Sequence, residues 1–151
     1  MAASRNRRRH RRQIDPDGPP GASRIQPGSP PDDQITFSFK YLHPNPPVSQ
    51  NFPADYWGEL MSCLKMISGL NTGEILGNRS SSRRAHGIDW DDSNIPEGFA
   101  HLPQHLRDSA GFQFSVKRDD YGRIVGLLLG NVFYVCWFDP EHQTTGRPKG
   151  Q

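Results

Sequence analysis

The chain has 151 residues and a formal net charge of +2, enough for at most one ordinary domain. Six of its 18 Lys and Arg residues fall within the first twelve positions, so residues 13–151 hold 12 basic against 16 acidic residues, and the body of the protein is mildly acidic. That balance argues against a large nucleic-acid-binding face, two cysteines are too few for a disulfide framework, and no apolar run approaches the ~20 residues that span a bilayer.

Residues 1–34 are rich in Arg, Pro, Gly and Asp and offer almost nothing to bury, so they are expected to be a disordered tail. The opening SRNRRRHRR has forks that match phosphate oxygens, but a solvated tail or an over-extended leader without a role is the better reading. Its basic start runs into Pro and Asp and not into a signal h-region, so a cytoplasmic protein is expected.

From Ile35 to Tyr41 apolar residues alternate, with Ile35, Phe37, Phe39 and Tyr41 on one face, which predicts a half-buried strand ended by His43-Pro44-Asn45-Pro46-Pro47. At Ala54 the period changes. Trp57, Leu60, Leu64 and Ile67 form a stripe with Tyr56, Cys63 and Leu70 beside it, predicting an amphipathic helix over 54–69. Asn71 and Glu74 stand at capping-box spacing for a second, short helix ending at Gly77. Next comes RRAHGIDW, where Arg83 and Arg84 precede a short strand with His86, Ile88 and Trp90 on one face. A short helix is expected within His101–Ser109.

The stretch from Phe112 to His142 organises the whole. Phe112–Lys117 alternates, Asp119-Asp120-Tyr121-Gly122 is a turn, and Gly130-Asn131 between two apolar runs is a two-residue hairpin loop. Mirroring about that loop sets Leu129 opposite Val132, Leu127 opposite Tyr134, Val125 opposite Cys136 and Arg123 opposite Phe138. Both faces are then apolar, with Trp137 grouped with Ile124, Leu128, Phe133 and Val135. Cys63 and Cys136 read as buried reduced thiols. The fold class expected is α+β: a small antiparallel sheet of four to five strands, helices on one face, and a C-terminal three-stranded meander, with the domain at 35–142 and a frayed tail at 143–151.

No GxSxG, P-loop, HExxH or paired CxxC motif is present. Polar chemistry collects instead at one sheet end, where Arg123 opens a strand and Asp139 and His142 follow the end of its partner. A metal site from His86, Asp139, His142 and Asp89 has suitable ligand types but none of the close spacings that make such a reading strong. The bland alternatives are a loop histidine at His142, a turn opener at Asp139-Pro140, core tryptophans at 90 and 137, and an Arg123 paired with Asp120.

A leading strand, a helical segment and a terminal meander with a cation at a strand start resemble the RelE/ParE-like toxin superfamily. More closely, RAHGIDW, FQFSV and YGRIVGLLLGNVFYVCWFDPEH resemble an uncharacterised bacterial set with H-x-I-x-W and W-x-D-P-x-H motifs, over residues 35–142. The resemblance implies a metal-independent endoribonuclease of a toxin-antitoxin system. Its catalytic residues would be His86, Arg123, Asp139 and His142, its RNA-phosphate contacts Arg83, Arg84, Lys117 and Gln113, and its partners an antitoxin and RNA or the ribosome. It needs no cofactor and no membrane. A non-catalytic protein- or nucleic-acid-binding module of mobile-element or defence origin, with Trp and Tyr as anchors, is the alternative.

Overall fold

A computed structural model of the protein describes residues 34–77, 85–117 and 121–146. The elements run β1 (Thr36–Ser38), α1 (Tyr56–Ser68), α2 (Thr72–Gly77), β2 (His86–Ile88), α3 (Gln104–Arg107), β3 (Gly111–Ser115), β4 (Arg123–Leu129) and β5 (Val132–Asp139). They form one five-stranded sheet in the order β1-β5-β4-β3-β2. The protein is α+β with a C-terminal meander. The sheet is mixed, however, because β1 lies parallel to β5, with Thr36 opposite Val132 and Ser38 opposite Tyr134. Alternation within a strand says which residues share a face and nothing about strand direction, so the parallel edge was not readable in the sequence.

Local signals hold closely. Glu74 N–H donates to Asn71 Oδ1 and Asn71 N–H to Glu74 Oε2, both at 2.8 Å, so two helix-end donors are satisfied reciprocally and α2 starts and stops where expected. The α1 stripe turns slightly from its expected face. Tyr56, Leu60, Cys63, Leu64 and Ile67 are the buried set, and Trp57 stays outside at 52 % exposure against Phe52 and Phe138.

The meander departs from a simple mirror at one place. Leu129 faces Val132 and Leu127 faces Tyr134 as the loop demands, but Gly126 then faces Val135 and Val125 faces Trp137. Cys136 is left over as a β-bulge, and its carbonyl accepts the His43 N–H at 2.7 Å. The bulge corrects the expected register by one residue: Val125 pairs with Trp137 instead of Cys136, and Arg123 with Asp139 instead of Phe138. The cause is visible at Gly126, where an added Cβ would lie 2.0 Å from the Tyr134 carbonyl. Only glycine lets the bulged strand approach that closely.

Because the side-chain period is two, one extra residue sends everything beyond it to the other face. Trp137 therefore leaves Phe133 and Val135, which pack with α1, Ile35, Phe112, Phe114 and Ile124. It joins Val125, Leu127, Cys136, Ile88, Phe99 and Leu102 on the opposite face. That second core is covered by the segment following β2 and by Leu106 of α3, so the helices are not all on one face as expected. Tyr41 also belongs to this second cluster, whereas Ile35 and Phe37 belong to the first; β1 ends before the chain crosses over.

The C-terminal residues that the structure describes are packed, not frayed. Thr144 is fully buried, and Asn94 Nδ2 donates to the carbonyls of Gln143 at 2.8 Å and Gly146 at 2.7 Å. Polar side chains doing structural work leave no hydrophobic mark, which is why this loop read as a tail. Of the disordered tail expected over residues 1–34, Gln34 is described and pairs with Asn71, while the Arg-rich opening with the rest of residues 1–33, and residues 147–151, lie outside the described residues.

Candidate functional site

The bulge builds the site. With Trp137 and Asp139 turned to the face opposite α1, two rows of side chains cross the sheet there: His86, Gln113, Val125 and Trp137 in one, Ser115, Arg123 and Asp139 in the next. Antiparallel partners in register share a face, so His86 on the edge strand β2 and Arg123 at the start of β4 come to the same side through β3. The His86 strand lies alongside β3, with His86 opposite Gln113.

Over these rows folds the segment after β5. Asp139 Oδ1 accepts the Gln143 N–H at 2.8 Å, and Oδ2 accepts the Thr144 N–H at 2.7 Å. Trp137 Nε1–H donates to Thr144 Oγ1 at 3.1 Å. These bonds curl the chain back so that His142, at a φ of 54°, and Thr145 sit above β3. A positive φ is costly for a residue with a Cβ and persists only where surrounding contacts hold it.

The result is an open cleft of about 820 Å³ lined by Ala85, His86, Arg123, His142 and Thr145, with Leu76 at one side. His86 is exposed, and its Nδ1 lies 2.8 Å from the Gly87 carbonyl. Arg123 is only 5 % exposed, yet it lines the cleft, and one Nη1–H donates to the Gly122 carbonyl at 3.1 Å. A guanidinium with so little water around it acts on a bound anion more strongly than a surface cation would. Beside the cleft and sharing Leu76, Gly87 and Phe112 lies a mainly apolar hollow of about 390 Å³.

Of the residues picked from the sequence, the cleft gathers His86, Arg123 and His142. Asp139 is fully buried with both carboxylate oxygens on backbone amides, so it organises the loop and does not line the cleft. Gln113 is also fully buried, packed under Thr145 and His86, a support and not a surface contact. Lys117 turns away: its Nζ is 3.1 Å from Glu59 of α1 and stands over the Tyr121 ring. Arg83 and Arg84 lie outside the described residues. A metal site from His86, Asp89, Asp139 and His142 is not assembled; among the described residues no group of three or more metal-ligating side chains comes together. Thr145 is the cleft residue that sequence reading missed, because a threonine in a polar tail carries no pattern; the W-x-D-P-x-H ending just before it was the nearest signal.

Among the described residues no helix is long and apolar enough to cross a membrane. No protein-family model matches the chain, and neither the curated proteins nor the solved structures return a match.

Proposed function

We propose that this chain is a RelE-like toxin acting as a metal-independent endoribonuclease, its RNA held in the cleft at the meeting of β2, β4 and the loop after β5. The observation that carries the reading is the placement of two imidazoles, His86 and His142, with the guanidinium of Arg123 in one cleft. RNA carries its own nucleophile. A base removes the proton of a ribose 2′-hydroxyl, the oxygen attacks the adjacent phosphorus, and the bond to the 5′-oxygen breaks as an acid protonates it. The products are a 2′,3′-cyclic phosphate and a 5′-hydroxyl. His86 serves as the base and His142 as the acid, since an imidazole nitrogen can take or give a single proton. Arg123 offsets the charge that builds on the phosphorane oxygens. An antitoxin that covers the cleft, and RNA on the ribosome, are the partners this reading entails.

The second reading, a protein-binding module, draws on Trp57 and Met61, one helical turn apart on α1 and 52 % and 63 % exposed. Aromatic and Met side chains in such positions anchor interfaces.

Induced expression with growth followed over time, and RNA cleavage in a translating extract, test the proposal. His86→Ala and His142→Ala are expected to lower cleavage by about 10²-fold or more while remaining folded. Arg123→Lys is preferred to Ala, since Ala would leave a void at a nearly buried position. A wild-type protein that neither arrests growth nor cuts RNA overturns the nuclease reading.

A further inference from the structure

Between the two histidines lie two side chains that the cleavage chemistry does not use. Gln113 Nε2 is 2.9 Å from Thr145 Oγ1 and 3.4 Å from His86 Nε2. Thr145 Oγ1 is in turn 3.1 Å from His142 Nε2. A continuous polar path therefore runs from His86 through Gln113 and Thr145 to His142, drawn from β2, β3 and the terminal loop.

The Gly87 carbonyl, 2.8 Å from His86 Nδ1, can only accept, so Nδ1 carries the ring hydrogen. In the neutral ring Nε2 is then a bare lone pair. The amide atom facing it is the NH2 group, because the opposite orientation would set two lone pairs against each other. That same nitrogen gives its other hydrogen to Thr145 Oγ1. The threonine hydroxyl, its oxygen already accepting, has one hydrogen to place, and two acceptors lie within reach of it, His142 Nε2 at 3.1 Å and Gln113 Oε1 at 3.3 Å.

We propose that Thr145, oriented by the buried amide of Gln113, is a positioning residue that sets the tautomer of His142, while the Gly87 carbonyl sets that of His86. Both neutral rings then carry their hydrogen on Nδ1 and present Nε2 as the basic atom. When His142 takes a proton on Nε2, the hydroxyl rotates to accept it and turns its own hydrogen to Gln113 Oε1, so the ring changes state without moving. The 3.4 Å separation at His86 is long for a hydrogen bond, which leaves Nε2 open to a 2′-hydroxyl. The use made of this path rests on the ribonuclease reading; the path itself does not.

The test is nitrogen-15 NMR of the imidazoles in the full chain at a pH where both rings are neutral, with Thr145→Val and Thr145→Ser beside the wild type. The wild type is expected to show the Nδ1–H form at both histidines. Thr145→Val is expected to change the His142 signature alone, and Thr145→Ser to restore it. Cleavage should follow the same order, with Val about 10-fold or more below Ser. A wild-type His142 in the Nε2–H form, or a His142 signature that the Val variant leaves unchanged, overturns the inference even if Val does not fold well enough for assay, since the wild-type spectrum decides the first point alone. RNA cleavage has no part in that outcome, so the inference and the nuclease reading fail separately.

Discussion

Replacing Asp139 with Asn changes one atom of a side chain that closes the loop over the cleft. The carboxylate accepts two backbone N–H bonds, at 2.8 Å from Gln143 and 2.7 Å from Thr144, with no exposure to water. A hydrogen bond to a charged group contributes about 1.5–3 kcal/mol, and a buried N–H without a partner costs about 1–3 kcal/mol. An asparagine keeps one acceptor and turns a donor toward the other amide. One bond is lost and two donors are opposed, for a total of about 2.5–6 kcal/mol. At about 4 °C per kcal/mol for a domain near 100 residues, thermal unfolding should move down by roughly 10–24 °C. Calorimetry gives that shift, and amide exchange should quicken at Gln143 and Thr144 while β4 keeps its protection. His142 and Thr145 ride on the same loop, so RNA cleavage should fall along with loop protection. A variant within about 2 °C of the wild type that has nevertheless lost cleavage would refute the clamp and place Asp139 in the chemistry.

Gly126→Ala should destabilise the protein by more than about 3 kcal/mol, because the new Cβ meets the Tyr134 carbonyl at 2.0 Å and the bulge cannot form around it; denaturant midpoints measure this. Burial pushes the Cys136 thiol up to about 12, so it should stay unmodified by a thiol reagent at pH 8 in the native protein and react on unfolding; rapid native labelling would contradict the packing. His43 is held below its usual value by burial and by the His101 ring, whose centroid is 4.3 Å away. A lowered folded value means that the unfolded chain binds the proton first. Stability is therefore unaffected above about pH 6.5 and declines as pH falls from there toward the folded value, a decline that His43→Asn should flatten in urea titrations at pH 7 and pH 5.

What the sequence determined by itself was whatever a few neighbouring residues settle together. Gly130-Asn131 closes a hairpin, Asn71 and Glu74 cap each other across three positions, and the change of period at Ala54 marks the start of a helix, because each depends on turn geometry or on bonds spanning one helical turn. Mirroring about Gly130-Asn131 passed over Gly126, whose place within an apolar strand is a bulge signal that does not say where the extra residue falls. Tertiary structure decided that, through the His43 N–H that takes up the Cys136 carbonyl from a segment more than ninety positions earlier. From that one shift followed the face on which Trp137 and Asp139 lie, and so the loop that carries His142 and Thr145 above Gln113. The parallel pairing of β1 with β5 is of the same kind: Ile35 and Phe37 join the core that α1 packs on, and their alternation gives a buried face but no strand direction. Local bonds are written in adjacent residues, whereas a buried donor or acceptor is satisfied by whichever distant partner the folded core brings to it.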